Sequence, residues 1–212
     1  MALAELGHGW VPLLERLLAA FGGAPVPASF LETAPRYLDL VVAWNARIDL
    51  TAARTPEELV DLSFADAAAL VAAGACSEPG RWLDVGTGAG APGLALSLLA
   101  PDLVITLLEP MQKRVAFLRT AVGTLGSRAE VARGRVEDFA PACVEVAVSR
   151  ATLPPPEWLA AGARVATREV WVLLAREAPP SLPGTSVRRD LSFEWPLTHK
   201  VRRAVAYDLQ SR

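Results

Sequence analysis

Apolar positions recur at helical spacing over the first third of the chain and then give way to short apolar runs separated by helical stretches. Residues 10–21 place Leu13, Leu14, Leu17, Leu18 and Phe21 on one face, and Gly22-Gly23-Ala24-Pro25 ends that helix. Residues 29–46 repeat the pattern through Phe30, Leu31, Tyr37, Leu38, Val41, Val42 and Trp44. A third helix begins at Pro56-Glu57-Glu58 and reaches Ala73, and Gly74 to Gly80 reads as a joint. Residues 1–75 therefore form an N-terminal helical cap, expected to lie against, and belong with, the domain built by residues 76–212.

From residue 81 strands and helices alternate, the pattern of a parallel sheet with crossover helices. Strands are predicted at 81–85, 104–109, 129–132, 144–149 and 170–174, with helices at 92–100, 111–125 and 156–165 between them. Segments 185–194 and 202–209 have no helical pattern between them and read as an antiparallel hairpin. The expected fold class is α/β, with a central, mostly parallel seven-stranded sheet and helices on both faces.

An apolar content of 52% with 21% charged residues excludes a disordered chain and predicts a filled core. The start Met1-Ala2-Leu3-Ala4-Glu5 has neither the basic opening nor the apolar run of a signal peptide, and no stretch is long and apolar enough to span a membrane. Cys76 and Cys143 stand far apart in no metal or redox spacing, which points to a reducing compartment, the cytoplasm, and to no metal. The charge is asymmetric: residues 1–106 hold 5 basic and 12 acidic side chains, net −7, and residues 107–212 hold 16 basic and 11 acidic, net +5. Nearly all of the positive charge is arginine, which forks onto phosphates and stacks on bases, so a polyanion docked on one face is one reading and a solvated surface the other.

The stretch from Asp84 to Gly93 carries the chemistry. A strand enters a glycine turn, Gly86-x-Gly88-x-Gly90, which opens a helix, and glycine there lets the backbone take positive φ and approach a ligand closely. A pyrophosphate on this turn would be repelled by Asp84, two residues before the first glycine, and no Gly-Lys-Ser/Thr ending supplies a triphosphate site. A cationic ligand without phosphate fits better. S-adenosylmethionine carries a sulfonium and an ammonium, and Glu109, closing the second strand at the carboxyl edge where such sheets bind ligands, can accept both ribose hydroxyls.

Five segments, in order, carry a family resemblance: Trp44-Asn45-Ala46-Arg47-Ile48-Asp49-Leu50-Thr51, Asp84 through Gly93, Lys113 through Arg119, Arg135-Val136-Glu137-Asp138-Phe139 and Ser149-Arg150-Ala151. Together, over roughly residues 35–175, the chain resembles the bacterial GidB family of small-subunit (16S) ribosomal RNA guanine-N7 methyltransferases. The resemblance implies a Rossmann-like class I methyltransferase. It also implies a cofactor pocket formed by Gly86, Ala91, Glu109, Val136, Glu137 and Arg150, to which the turn itself adds Asp84, Gly88 and Gly90. Ribosomal RNA or the small ribosomal subunit is the implied partner, and the chain is expected to be a monomer. The chain departs from the family's usual residues at Asp49, at Ser63 and Ala67, at Ala175 and at Asp208, all on the substrate side of the match.

Guanine N7 is already an unprotonated nucleophile, so methyl transfer to it depends on placement more than on a base. That agrees with a chain whose two histidines, His8 and His199, lie in an N-terminal stretch and a hairpin turn. No side chain is assigned as an acid or base; Arg135 and Arg150, at consecutive strand ends, are the candidates to orient the base or its phosphates, with pairing to Glu137, Asp138 or Glu109 as the plainer role. Leu153-Pro154-Pro155-Pro156-Glu157-Trp158 lacks the polar residue that an amine-methylating Pro-Pro loop needs before its prolines, and reads as a rigid lead-in to a helix. Three functions stay open: the N7 methyltransferase, a methyltransferase of the same stock with another or small-molecule acceptor, and a cofactor-holding RNA- or ribosome-binding protein without turnover.

Overall fold

The computed structural model describes residues 3–22 and 26–210. The Gly23-Ala24-Pro25 part of the first helix stop and the first two residues lie outside them. The cap consists of α1 (Val11–Ala20), α2 (Phe30–Asn45), α3 (Pro56–Val60) and α4 (Asp66–Ala72). The last two are one predicted helix, joined by a π-helical turn over Asp61–Ala65. Thr55 starts it: its hydroxyl accepts the Glu58 amide at 3.2 Å, with Pro56 at the first helical position, where a missing N–H is harmless. The N-terminal stretch that holds His8 is tied down. It forms a 3-10 turn, Gly7–Trp10, and Asp39 of α2 accepts the Leu6 amide at 2.9 Å and the Trp10 indole N–H at 2.7 Å.

The sheet contains β1 (Arg81–Val85), β2 (Val104–Glu109), β3 (Glu130–Arg133), β4 (Val144–Arg150), β5 (Ala166–Leu174), β6 (Thr185–Glu194) and β7 (Val201–Leu209) in the order β3-β2-β1-β4-β5-β7-β6. Pairs among β1 to β5 are parallel, and β7 runs antiparallel between β5 and β6. Strand order reverses between β1 and β4, and the crevice outside their carboxyl ends is where open α/β sheets place ligands. Helices α5 (Gly93–Leu99), α6 (Gln112–Leu125) and α7 (Pro155–Val165) cross between strands. One boundary differs clearly: β5 begins at Ala166, directly after α7, four residues before its apolar run. Thr167-Arg168-Glu169 hides that start, because Glu169 is buried yet polar, its carboxylate paired with Arg188 at 3.1 Å.

Alternation along the strands divides the core. Trp82, Ile105, Leu107, Val146, Val148 and Trp171 face α5, α6 and the cap in one continuous apolar cluster. Leu83, Leu108, Ala147, Val170 and Val172 face α7 and its Trp158 on the other side. The cap therefore shares a core with the sheet. The Trp-Asn-x-x-x-x-Leu-Thr segment does structural work at this junction: Asn45 Oδ1 accepts the amides of Leu50 and Thr51 at 2.9 and 3.0 Å, folding the chain back after α2, and Trp44 packs edge-on against Phe117 of α6.

Candidate active site

A cavity of about 520 Å³ opens at the carboxyl edge of β1, β2 and β4, between the glycine turn and the cap. Gly86, Gly88 and Ala91 form its floor, Glu109 and Met111 one end, Arg150 the other. Tyr37, Leu59 and Ser63 close it from the cap side. Gly86 and Gly88 have φ of +69° and +61°, the left-handed region that the turn demands. A Cβ on Gly86 would lie 2.1 Å from the Thr152 hydroxyl, whereas one on Gly88 would meet only the Gly86 carbonyl at 3.9 Å. The backbone at Gly88 is thus bare toward the cavity, a cradle that any side chain would fill.

Glu109 is 2% exposed and stays on the cavity wall. Its carboxylate is held by two backbone amides, Gly88 N–H to Oε2 at 3.0 Å and Met111 N–H to Oε1 at 2.9 Å. Each oxygen keeps a further lone pair for a ligand hydroxyl. Two predicted contacts lie elsewhere. Asp84 has the same strand parity as Trp82 and so points under the turn: Oδ2 accepts the Thr87 hydroxyl at 2.5 Å and the Gly93 amide at 2.8 Å, fastening both limbs of the turn to β1. Gly90 also lies beneath, because a Cβ there would strike Leu94 at 2.8 Å. Both position the floor, and neither lines the large cavity.

Val136 and Glu137 line a separate cavity of about 190 Å³ that meets the large one at Gly86, Pro110 and Thr152. Arg135 lies on its rim, exposed, in the turn after β3 instead of at a strand end, and its guanidinium has no ion-pair partner among the described residues. Arg150 is at the end of β4 as expected, but pairs with none of Glu137, Asp138 or Glu109. It reaches into the cap, donating to the Leu62 carbonyl at 2.7 Å and to Asp66 Oδ2 at 2.9 Å. That carbonyl belongs to the π-helical turn. Residues that sequence reasoning passed over, Tyr37, Arg114, Thr152 and Asp66, come from four separate segments. Tyr37 looked like core, and its hydroxyl donates to the Ala89 carbonyl at 2.7 Å; burial pushes its pKa up. Arg114 lay within the quoted Lys113–Arg119 segment and donates to the Asp49 carbonyl at 2.9 Å, closing the cavity mouth.

The departures from the family pattern are scattered. Ser63 is on the cavity wall, Ala67 is fully buried in the cap core, and Ala175 lines a neighbouring cavity. Asp208 pairs with Arg188 at 3.5 Å beside the start of β5, at the opposite edge of the sheet. His199 sits in the β6–β7 turn against Glu194, away from these cavities, and neither cysteine lines the large one.

Burial pushes the Asp84 carboxyl up to about 6, against the Thr87 hydroxyl and the Gly93 amide, which pull it down. Its second oxygen is buried without a partner, so nothing offsets the charge there. Between about pH 4 and 6 the unfolded state has released this proton while the folded state keeps it, so the contribution of Asp84 to stability falls with rising pH by roughly 3 kcal/mol and levels off above 6. Denaturant unfolding of wild type and Asp84→Asn should show their stability difference moving against wild type from pH 4 to 6. A difference that is flat or rises over that window contradicts the assignment.

The sheet order, the crossover helices and the glycine turn at the switch point define a Rossmann-like class I methyltransferase fold. A methyltransferase from Aquifex aeolicus described as SAM dependent superposes with a TM-score of 0.52 at 19% identity, covering 71% of this chain and 92% of that one. The Burkholderia thailandensis 1,6-didemethyltoxoflavin-N1-methyltransferase, solved with S-adenosylhomocysteine, gives 0.54 at 11% identity, covering 89% and 93%. Within that class the chain belongs to the GidB family, whose profile, described as rRNA small subunit methyltransferase G, matches residues 31–174. Proteins named ribosomal RNA small subunit methyltransferase G are similar to it: 44% identical over 134 residues in Symbiobacterium thermophilum, 38% over 131 in Methylobacillus flagellatus and 36% over 148 in Myxococcus xanthus. These matches cover 59%, 61% and 65% of this chain and 53%, 62% and 65% of those relatives.

Proposed function

We propose that the protein transfers a methyl group from S-adenosylmethionine to N7 of a guanine in small-subunit ribosomal RNA. The large cavity carries this reading: a bare glycine floor beside a carboxylate that two amides hold in place. Family membership supports it, as do the names of the relatives and the bound S-adenosylhomocysteine of the Burkholderia neighbour. The residues fit this cofactor: Glu109 offers free lone pairs to its ribose hydroxyls, and the buried Asp84 beneath the turn disfavours a phosphate there.

Gly86, Gly88 and Ala91 would hold the cofactor through backbone, and Glu109 would accept from its ribose hydroxyls. Val136 and Glu137, across Gly86, would flank its base. The bound cofactor supplies a sulfonium-activated methyl: its S–C bond breaks as the bond to guanine N7 forms, leaving a thioether and a methylated, positively charged guanine. N7 has no proton to lose, so the chain's task is orientation, by Arg150 near the cavity and by Arg135 at the rim toward phosphate. The same reading treats cap and sheet as one domain, working as a monomer in the cytoplasm. No helix among the described residues is long and apolar enough to cross a membrane.

The test is methyl transfer to small subunits from cells lacking the gene, with the modified nucleotide mapped by mass. The single-turnover rate should stay nearly flat from about pH 6 to 8.5, since no group must give up a proton. A limb of unit slope would move the acceptor to an amine or hydroxyl; no product on that RNA would remove the ribosomal reading.

A further inference from the structure

A second cavity, of about 220 Å³, lies beyond the ends of β4 and β5 and beside the β6–β7 hairpin. Leu62, Arg150 and Ala151 belong to its wall and to that of the large cavity, so the two are neighbours across one arginine. Part of the wall is a stacked pair, with the Arg202 guanidinium carbon 3.9 Å from the centre of the Trp195 ring. Trp195 is 2% exposed, and its indole N–H donates to Asp66 Oδ1 at 2.8 Å. The other oxygen of that carboxylate holds Arg150, so one buried acid fixes both the stack and the partition between the cavities.

Arg202 is placed by its stack on Trp195 and not by an ion pair. No described carboxylate lies within ion-pair distance, and its guanidinium hydrogen-bonds only to the carbonyl of the preceding Val201, at 2.8 Å. Burial lowers its pKa, and the Asp66, Glu177 and Asp61 carboxylates, beyond ion-pair distance, offset that only in part. A planar guanidinium with indole at its back, no ion-pair partner among the described residues and a cavity before it is a platform for a second flat ring system. On the same wall Glu177 is fixed by the amides of Ala175 and Arg176, both 2.9 Å from Oε2, and no lysine or arginine among the described residues pairs with it.

A splayed-out RNA base is held in this way, by stacking on an aromatic or guanidinium plane and by hydrogen bonds along its edge. Guanine alone among the four bases offers adjacent donors there, N1–H and the exocyclic amine, which match a carboxylate; N7 lies on the Hoogsteen edge. We propose that the second cavity takes the acceptor guanine, stacked on Arg202, with its Watson–Crick edge on Glu177 and N7 turned toward Arg150. The direction of N7 rests on the methyl-transfer reading above, whereas selection of guanine does not. Ala175, one of the family departures, sits at this cavity and brings no charge to it, so Glu177 and Arg202 are the recognition groups beside Arg150.

Titration of GMP, IMP and AMP into protein saturated with S-adenosylhomocysteine, followed by ligand-observed NMR, tests the pocket without turnover. Wild type should bind GMP about tenfold more tightly than IMP, which lacks the amine, and more tightly still than AMP. Glu177→Gln should bring the GMP-to-IMP ratio close to one. Arg202→Lys keeps the charge and loses the plane, and should weaken all three by about tenfold while preserving their order. Absence of a GMP preference in wild type, its survival in Glu177→Gln, or wild-type affinities in Arg202→Lys would each overturn the proposal. Methyl transfer to the small subunit on the same preparations separates the two readings. GMP selection without product keeps the pocket and removes the transfer; product with both variants binding like wild type removes the pocket and keeps the transfer.

Discussion

Gly86→Ala should destabilise the fold by about 3 kcal/mol and abolish S-adenosylmethionine binding, while Gly88→Ala should lose binding with a stability change of only about 1 kcal/mol. Both residues have positive φ, so both substitutions carry left-handed strain. They differ in what the new methyl meets. At Gly86 it would overlap the Thr152 side chain at 2.1 to 2.8 Å, and Thr152 cannot retreat without giving up its hydrogen bond to the Val85 carbonyl at 3.0 Å. At Gly88 the methyl projects into space a ligand would use. Denaturant unfolding with calorimetric titration of the cofactor reads both effects. Equal stability losses in the two variants would show that backbone strain alone matters, and normal binding by Gly88→Ala would show that no ligand lies against that residue.

Arg150→Met should unfold more easily by about 3 kcal/mol and lose methyl transfer, although Arg150 is not needed to move a proton. The reason is the partner it leaves behind. Asp66 has a side chain only 4% exposed, and without Arg150 its charge keeps one neutral donor, the Trp195 indole. Asp66→Asn in the same chain should recover most of the stability and none of the activity, because the amide tolerates burial while the cap stays unfastened from β4. Additive effects in that double-mutant cycle would remove the coupling. Arg135→Ala is the contrasting variant: exposed and unpaired, it should leave stability unchanged and weaken RNA binding, with a smaller salt dependence.

The order of strands and helices from residue 81, the helical cap, the glycine turn and the acidic end of β2 are all legible in the amino-acid sequence. Those features are local: a period of two or of 3.6, a run of glycines and a strand end are each visible within a dozen residues. Even Asp84 could have been placed by parity, since Trp82 two residues earlier is a core side chain and the two must share a face. The start of β5 could not, because a buried Glu169 is acceptable only through Arg188, a residue of another strand. Only the tertiary structure decided that Arg150 would be held by Asp66, 84 residues away, that Thr152 would press on Gly86, and that Trp195 and Arg202 would flank a second cavity beside the first. Periodicity says which way a side chain points from its own element; which charge or ring waits for it there depends on how distant elements pack, and burial makes those pairings obligatory.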